Sequence, residues 1–400
     1  YGIGAETVEK MIQSSEIDLE RLEKRDNNDL EEIAAAPSII KFVNQLILEA
    51  FEDRATDIHI EPFEESLRIR YRIDGFLHKI PLPSTIKQFQ LAIISRIKIM
   101  ADLNIAEKRL PQDGRINLKA GDKEIDLRVA TIPTLFGESV DIRILPKGEI
   151  LLDLKELGFS SQTLEGFLSL IKRPHGIILV TGPTGSGKTT TLYAALNRIN
   201  STERNIITIE DPVEYQLEGI NQIQVKPKIG LTFAKGLRSI LRQDPDVILV
   251  GEIRDLETAE IAIRSALTGH LVFSTLHTNN AAGAVTRLID MGIEPYLVAS
   301  AVEGIIAQRL VRVICPDCKV SSTTEVKALK EIGLSGDEIL YRGNGCDRCK
   351  FTGYRGRTGI YELLMVTEEM KRLILERTLT SAIEENARRL GMRTLREAGE

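Results

Sequence analysis

The stretch Ile177-Ile178-Leu179-Val180-Thr181-Gly182-Pro183-Thr184-Gly185-Ser186-Gly187-Lys188-Thr189-Thr190 sets the fold class of this chain. Four consecutive apolar residues read as a buried strand, and the glycine-rich turn after them opens a helix over Thr190–Ile199. Glycines 182, 185 and 187 let the backbone wrap closely enough for several N–H groups to point at phosphate oxygens. In this pattern Lys188 reaches the β- and γ-phosphates of ATP and Thr189 coordinates Mg2+, while Pro183, Thr184, Ser186 and Thr190 complete the cradle. The positive end of the helix adds to the attraction. A glycine turn without a ligand is the plain alternative, but an apolar strand before it and a helix after it are the context a phosphate loop needs.

Working outward, short apolar runs at Ile206–Ile209, Val247–Val250 and Leu271–Ser274 alternate with helical patterns, which is how a parallel sheet covered on both faces reads. Each run ends in polar residues, and in an open α/β sheet these ends line the ligand crevice. The second run ends in Glu210-Asp211-Pro212-Val213-Glu214, the third in Gly251-Glu252. Acids at those ends are placed to hold Mg2+ or to orient water. Glu210 is favoured as the residue that orients or deprotonates the attacking water and Glu252 as the acid available to the metal. The sequence leaves open which of the two is the base. His270 and His277 bracket the fourth run, where imidazole can sense phosphate; structural histidines are the bland reading. His59, far from the loop in sequence, reads as structural.

Before residue 150 the texture differs. Ile39, Ile40, Val43, Leu46, Ile47, Ala50 and Phe51 recur at helical spacing after Pro37-Ser38. Two hairpins follow. In the first, Leu67, Ile69, Tyr71 and Ile73 alternate with arginines ahead of Asp74-Gly75; in the second, Ile116 and Leu118 precede a turn at Gly121-Asp122 and Ile125, Leu127 and Val129 follow it. Period-two geometry sends Arg68, Arg70, Arg72 and Arg128 to the face opposite the apolar residues. A small α/β domain over about 31–148 accounts for this.

Four hundred residues, 42% hydrophobic and 28% charged, fit a globular chain of two or three domains. The net charge of −6 resides in residues 1–32, where ten acids face four bases, so the rest balances at 48 of each sign. That balance removes the bulk basic field of a non-specific nucleic-acid binder, and residues 1–30 read as an acidic linker or helix. No apolar run approaches a membrane span. The chain begins at Tyr1 rather than methionine, and a longer natural protein is expected. All four cysteines fall in two pairs, Cys315-x2-Cys318 and Cys346-x2-Cys349, a spacing that suits a closed tetrahedral Zn2+ site with a folding role. Disulfides are the alternative that an ATP-using intracellular enzyme disfavours.

The segments Gly182–Thr189, Thr208-Ile209-Glu210-Asp211-Pro212-Val213-Glu214-Tyr215, Val250-Gly251-Glu252-Ile253-Arg254-Asp255 and Thr268-Gly269-His270 through His277 resemble the Walker A motif, Asp box, atypical Walker B motif and His box of the secretion ATPase superfamily, the GspE/PulE/PilB family. The resemblance covers about 37–400. It implies a PAS-like domain over 31–148 and a RecA-like ATPase domain over 149–400, within which the cysteine spacing places a zinc subdomain at 312–360, followed by a helical part at 361–400. It also implies a homo-hexameric ring, cytoplasmic and peripheral at the inner-membrane face. The implied partners are inner-membrane platform and cytoplasmic docking proteins, with no nucleic acid. The four cysteines are similar to those of assembly-type motors rather than pilus-retraction motors. Asn205 to Val247 most resembles the type II secretion ATPases, with type IV pilus assembly ATPases next. The resemblance also implies an amino-terminal docking domain, which is expected in the longer natural protein and outside this sequence. From the resemblance, Arg128 and Arg143, and more weakly Arg115, match arginines that act on the γ-phosphate side. Rival readings are a nucleotide-gated scaffold that does not hydrolyse and a RecA-like nucleic-acid motor.

Overall fold

The computed structural model describes residues 34–120, 123–146, 152–322 and 339–400. The expectations for the acidic segment 1–30 and for the turn Gly121-Asp122 lie outside them. The chain divides into two compact units, Tyr1–Glu149 and Ile150–Glu400.

The first unit runs α1 (Pro37–Glu52), β1 (Ala55–Pro62), β2 (Leu67–Ile73), β3 (Phe76–Lys79), α2 (Gln90–Met100), β4 (Gln112–Ala120), β5 (Lys123–Thr134) and β6 (Gly137–Pro146). Pro37 starts α1, where its missing N–H costs nothing. The apolar stripe Ile39, Phe42, Val43, Leu46, Ile47 and Ala50 is fully buried. The strands form one antiparallel sheet in the order β3-β2-β1-β6-β5-β4. Both expected hairpins are present, and β1 and β6, which the sequence reading left out, join them in the middle. Their period-two signal is short: Ile58 and Ile60 in one, Val140, Ile142 and Ile144 in the other, all buried.

The second unit contains α3 (Ser161–Leu170), β7 (Gly176–Thr181), α4 (Lys188–Ile199), β8 (Ile206–Glu210), β9 (Asn221–Gln224), α5 (Phe233–Ile240), β10 (Val247–Val250) and α6 (Leu256–Leu267). Next come β11 (Leu271–Leu276), α7 (Ala281–Asp290), α8 (Pro295–Ala301), β12 (Val302–Ile314), β13 (Lys319–Ser322), β14 (Leu340–Gly343), β15 (Tyr354–Met365), α9 (Glu368–Leu375), α10 (Thr380–Arg389) and α11 (Leu395–Gly399). The main sheet has the order β15-β12-β7-β11-β10-β8-β9. β12, β7, β11, β10, β8 and β9 are parallel and β15 is antiparallel at the edge.

Strand residues alternate between two cores. Ile177, Leu179, Ile207, Ile209, Ile248, Val250 and Val272 pack with residues of α5 to α10. Ile178, Val180, Ile206, Leu249, Leu271 and Phe273 pack with α3 and α4. Both faces are therefore covered, which is why these strands read as unbroken apolar runs. β12 and β15 pair from Gly304 opposite Met365 to Ile314 opposite Tyr354. The cysteine module thus grows from the far end of a long hairpin.

Candidate nucleotide site and metal centre

β7 delivers the phosphate loop from the middle of the sheet. Gly182 has φ of +150° and lies against β12: a Cβ there would meet Gln308 O at 2.6 Å and Ser186 Oγ at 2.7 Å. Gly187, left-handed at φ +87°, is the N-cap of α4 and supplies no capping side chain. Its first-turn N–H groups are left for a ligand, whereas Ser160, Thr232, Asp255, Asn280 and Thr367 cap α3, α5, α6, α7 and α9. Pro183, Thr184 and Gly185 are exposed at the rim; Ser186 is buried, and Thr189 and Thr190 are half-buried.

Lys188 folds back over the loop, its Nζ donating to Gly182 O at 2.9 Å and Pro183 O at 3.1 Å. Burial holds its pKa below the usual lysine value, against the pull of the Glu252 carboxylate. Glu252 pairs with Arg254 and lies 3.4 Å from His277 Nε2. Arg254 also reaches Asp211 at 3.9 Å. Thr181 Oγ1 donates to Leu276 O at 3.0 Å and accepts the Thr278 N–H at 2.9 Å, tying the loop's strand to the segment that carries His277. Loop, Asp box, Walker B-like acid and His277 are thus brought to one edge of the sheet.

One sequence expectation needs correction. His270 is not at that edge. It precedes β11, whose first residue pairs with Gly176 at the start of β7, and β11 spans six residues, about 20 Å, before His277. His270 instead places Nδ1 2.9 Å from Ser265 O, and its carbonyl accepts the Gly176 N–H. Glu210 and Glu252 lie in different environments, although Val250 pairs with Ile209 on the neighbouring strand. Glu210 shares a face with Ile206 and Thr208, the face that α4 covers. Its Oε2 accepts the Tyr193 hydroxyl, and its Oε1 accepts Thr208 Oγ1 at 2.6 Å and Gln222 Nε2 at 3.3 Å. Burial pushes its carboxyl above the usual range, partly offset by those bonds.

In the first unit, sheet register sets Arg72, Asp57, Arg143, Arg128 and Arg115 in one row across five strands. Asp57 takes Arg143 Nε at 3.1 Å and lies 3.5 Å from Arg72 Nε. His59 Nδ1 is 3.2 Å from Asp141, in keeping with a structural role. Asp57, Tyr193, Gln222 and Gln308 were missed. Gln308 Nε2 donates to Ser186 O at 2.6 Å across 122 residues, and no local spacing marks it.

The four cysteines are free thiols whose Sγ atoms lie within 4.8 Å of one another. Cys346–Cys349, Cys318–Cys349 and Cys315–Cys346 stand at 3.7, 3.8 and 3.9 Å. A tetrahedron with Zn–S of about 2.3 Å requires S···S of about 3.8 Å, so the set fits Zn2+. The N–H groups of Cys346 and Gly353 donate to Cys349 Sγ, and Arg348 bridges to Asp317 at 2.8 Å, joining the two knuckles.

The sequence model of the family described as "Type II/IV secretion system protein" matches residues 32–400. The chain belongs to that family. Among type II/IV secretion system proteins, the "Type II secretion system ATPase E" of Vibrio cholerae is 54% identical over 364 residues, 90% of this chain and 72% of that protein. "Type II secretion system protein E" of Xanthomonas campestris pv. campestris is 51% identical over 404 residues, covering 100% and 70%. Among solved structures, the pilus retraction motor PilT with bound ADP matches at 29% identity and TM-score 0.55, covering 88% of this chain and 95% of that one. The Legionella pneumophila ATPase DotB, at 22% identity and TM-score 0.61, covers 87% of each and shares the fold. No helix among the described residues is long and apolar enough to cross a membrane.

Proposed function

We propose that this chain is the ATPase motor of a type II secretion machine, a homo-hexamer that hydrolyses ATP on the cytoplasmic side of the inner membrane and works on a platform protein there. The observation that carries the reading is the convergence of an uncapped phosphate helix, Lys188 and Glu252 with His277 at one sheet edge. The names of its close relatives support the machine.

In this mechanism the loop amides and Lys188 bind the β- and γ-phosphates, so Lys188 exchanges its two loop carbonyls for phosphate oxygen. Thr189 and Glu252 are the hard oxygen donors that would hold Mg2+, which would supply positive charge to offset that of the phosphates. Glu210 accepts a proton from the attacking water while phosphate leaves ADP. Arg128 and Arg143 are the arginines that the resemblance proposes for the γ-phosphate, and within the first unit Asp57 accepts the Arg143 Nε–H. The cysteine module holds structural Zn2+.

Steady-state phosphate release tests this. Lys188→Ala is expected to lose at least about 100-fold in turnover while remaining folded, because the developing phosphate charge loses its cation. Turnover near that of the parent chain would refute the assignment, and no turnover by the parent chain itself would favour a nucleotide-gated scaffold.

A further inference from the structure

The phosphate helix carries, beyond its loop, a side chain aimed at the acid proposed as base. Tyr193 is fully buried on α4, five residues past Lys188. Its hydroxyl is committed. Gln222 Nε2 shares one N–H between it and Glu210 Oε1, 3.3 Å from each, and the Glu214 N–H donates to it at 3.4 Å, which occupies both lone pairs and leaves its one proton for Glu210. Gln222 is fixed in turn by accepting the Leu217 N–H at 2.7 Å and donating to Tyr215 O at 3.1 Å. The Tyr193 ring meets Tyr215 edge-on at 4.7 Å.

We infer that Tyr193 is a positioning residue for Glu210, holding the carboxylate ionised and aimed through its hydroxyl and linking that aim to the phosphate helix. The inference rests on the proposed role of Glu210 as base. The groups facing Glu210 are Tyr193 from α4, Thr208 from its own strand, Gln222 from β9 and Glu214 from the loop between β8 and β9. None of these is a cation, so the anion is kept by neutral donors against burial and against the Glu214 charge. The phenol itself stays protonated, its pKa raised by burial and by Glu210. Because Tyr193 rides on the helix whose first turn receives the phosphates, seating the nucleotide and aiming the base share one rigid element. Five residues along a helix is about 7.5 Å.

The test compares Tyr193→Phe, which keeps the ring and its packing, with Glu210→Gln in the full chain. Expected for Tyr193→Phe are a kcat lower by about tenfold, a nucleotide KM within about twofold, and an acid limb of kcat/KM moved about one pH unit upward. The sign follows from the bond: it favours the charged carboxylate, so its loss raises the carboxyl pKa and protonates the base at higher pH. Glu210→Gln should lose turnover at every pH. If Glu210→Gln is inactive but Tyr193→Phe leaves kcat and the acid limb unchanged, the positioning role is overturned alone. Should Glu210→Gln retain turnover, the base assignment falls and the positioning role with it.

Discussion

Gln308→Met separates what holds the protein together from what holds the phosphate loop in shape. Gln308 is 1% exposed, donates to Ser186 O at 2.6 Å, and has an Oε1 with no partner among the described residues. Methionine has nearly the same length and neither polar atom. Loss of the donor to a buried carbonyl costs about 1–3 kcal/mol, but removing an unsatisfied buried acceptor returns a similar amount, so global stability should change by less than about 1 kcal/mol. The loop has no such compensation. A peptide group is planar, so fixing the Ser186 carbonyl toward β12 fixes the Gly187 N–H in the opposite direction, toward the space a phosphate would take. Releasing that plane at about 1–3 kcal/mol should weaken ATP binding by about 5- to 150-fold. Fluorescent-nucleotide titration gives the affinity and thermal denaturation the stability. Affinity within twofold of the parent chain, at unchanged stability, would refute the argument that β12 sets the loop.

Zinc analysis of the purified, reduced chain should give about one equivalent, and Cys346→Ser should lose the metal and open the 339–353 segment to protease; less than about half an equivalent in the parent chain would count against the site. Glu362, 2% exposed, caps two helices by accepting the N–H of Ala281 at 2.7 Å and of Leu395 at 3.1 Å. Burial holds its carboxyl above the usual range. A raised carboxyl pKa makes a stabilising contribution that is complete below the unfolded value, about 4.3, and is lost as pH rises through the folded value. The parent chain should therefore gain stability over Glu362→Gln as denaturation midpoints are followed downward from pH 7 to below the unfolded value, and a pH-independent difference would show that burial does not raise the Glu362 carboxyl.

The parts legible in sequence were those whose chemistry demands local spacing. A phosphate loop needs its glycines, lysine and hydroxyl within eight residues, and a zinc knuckle needs two thiolates three apart. The buried strands β7, β8, β10 and β11 were legible because both faces are covered. Residues that act through distant contacts left no such trace: Tyr193 meets Gln222 across 29 residues and Arg143 meets Asp57 across 86. His270 misled for a simpler reason. Two histidines bracketing one strand look equivalent in sequence, yet a parallel strand has only one end at the crevice.

The edge of the sheet shows how a local motif can hide its setting. Cysteine spacing placed a subdomain at 312–360, a boundary that cuts both β12 and β15. In the fold, β12 is buried from Val302 to Gln308 and only half-buried or exposed from Arg309 to Ile314, where its partner is β15. The first half carries the glutamine that fixes Ser186; the second half ends at Cys315, seven residues, or about 23 Å, further on. The cysteine module and the phosphate loop therefore share a strand. The pairing with β7 runs only to Ala307, so the order of the strand at Gln308 is set by the sheet on one side and by β15 on the other. The Zn2+ proposed for the tip would keep β12 and β15 together where no third strand among the described residues pairs with them, which would tie a structural ion to the position of a residue that touches the phosphate loop.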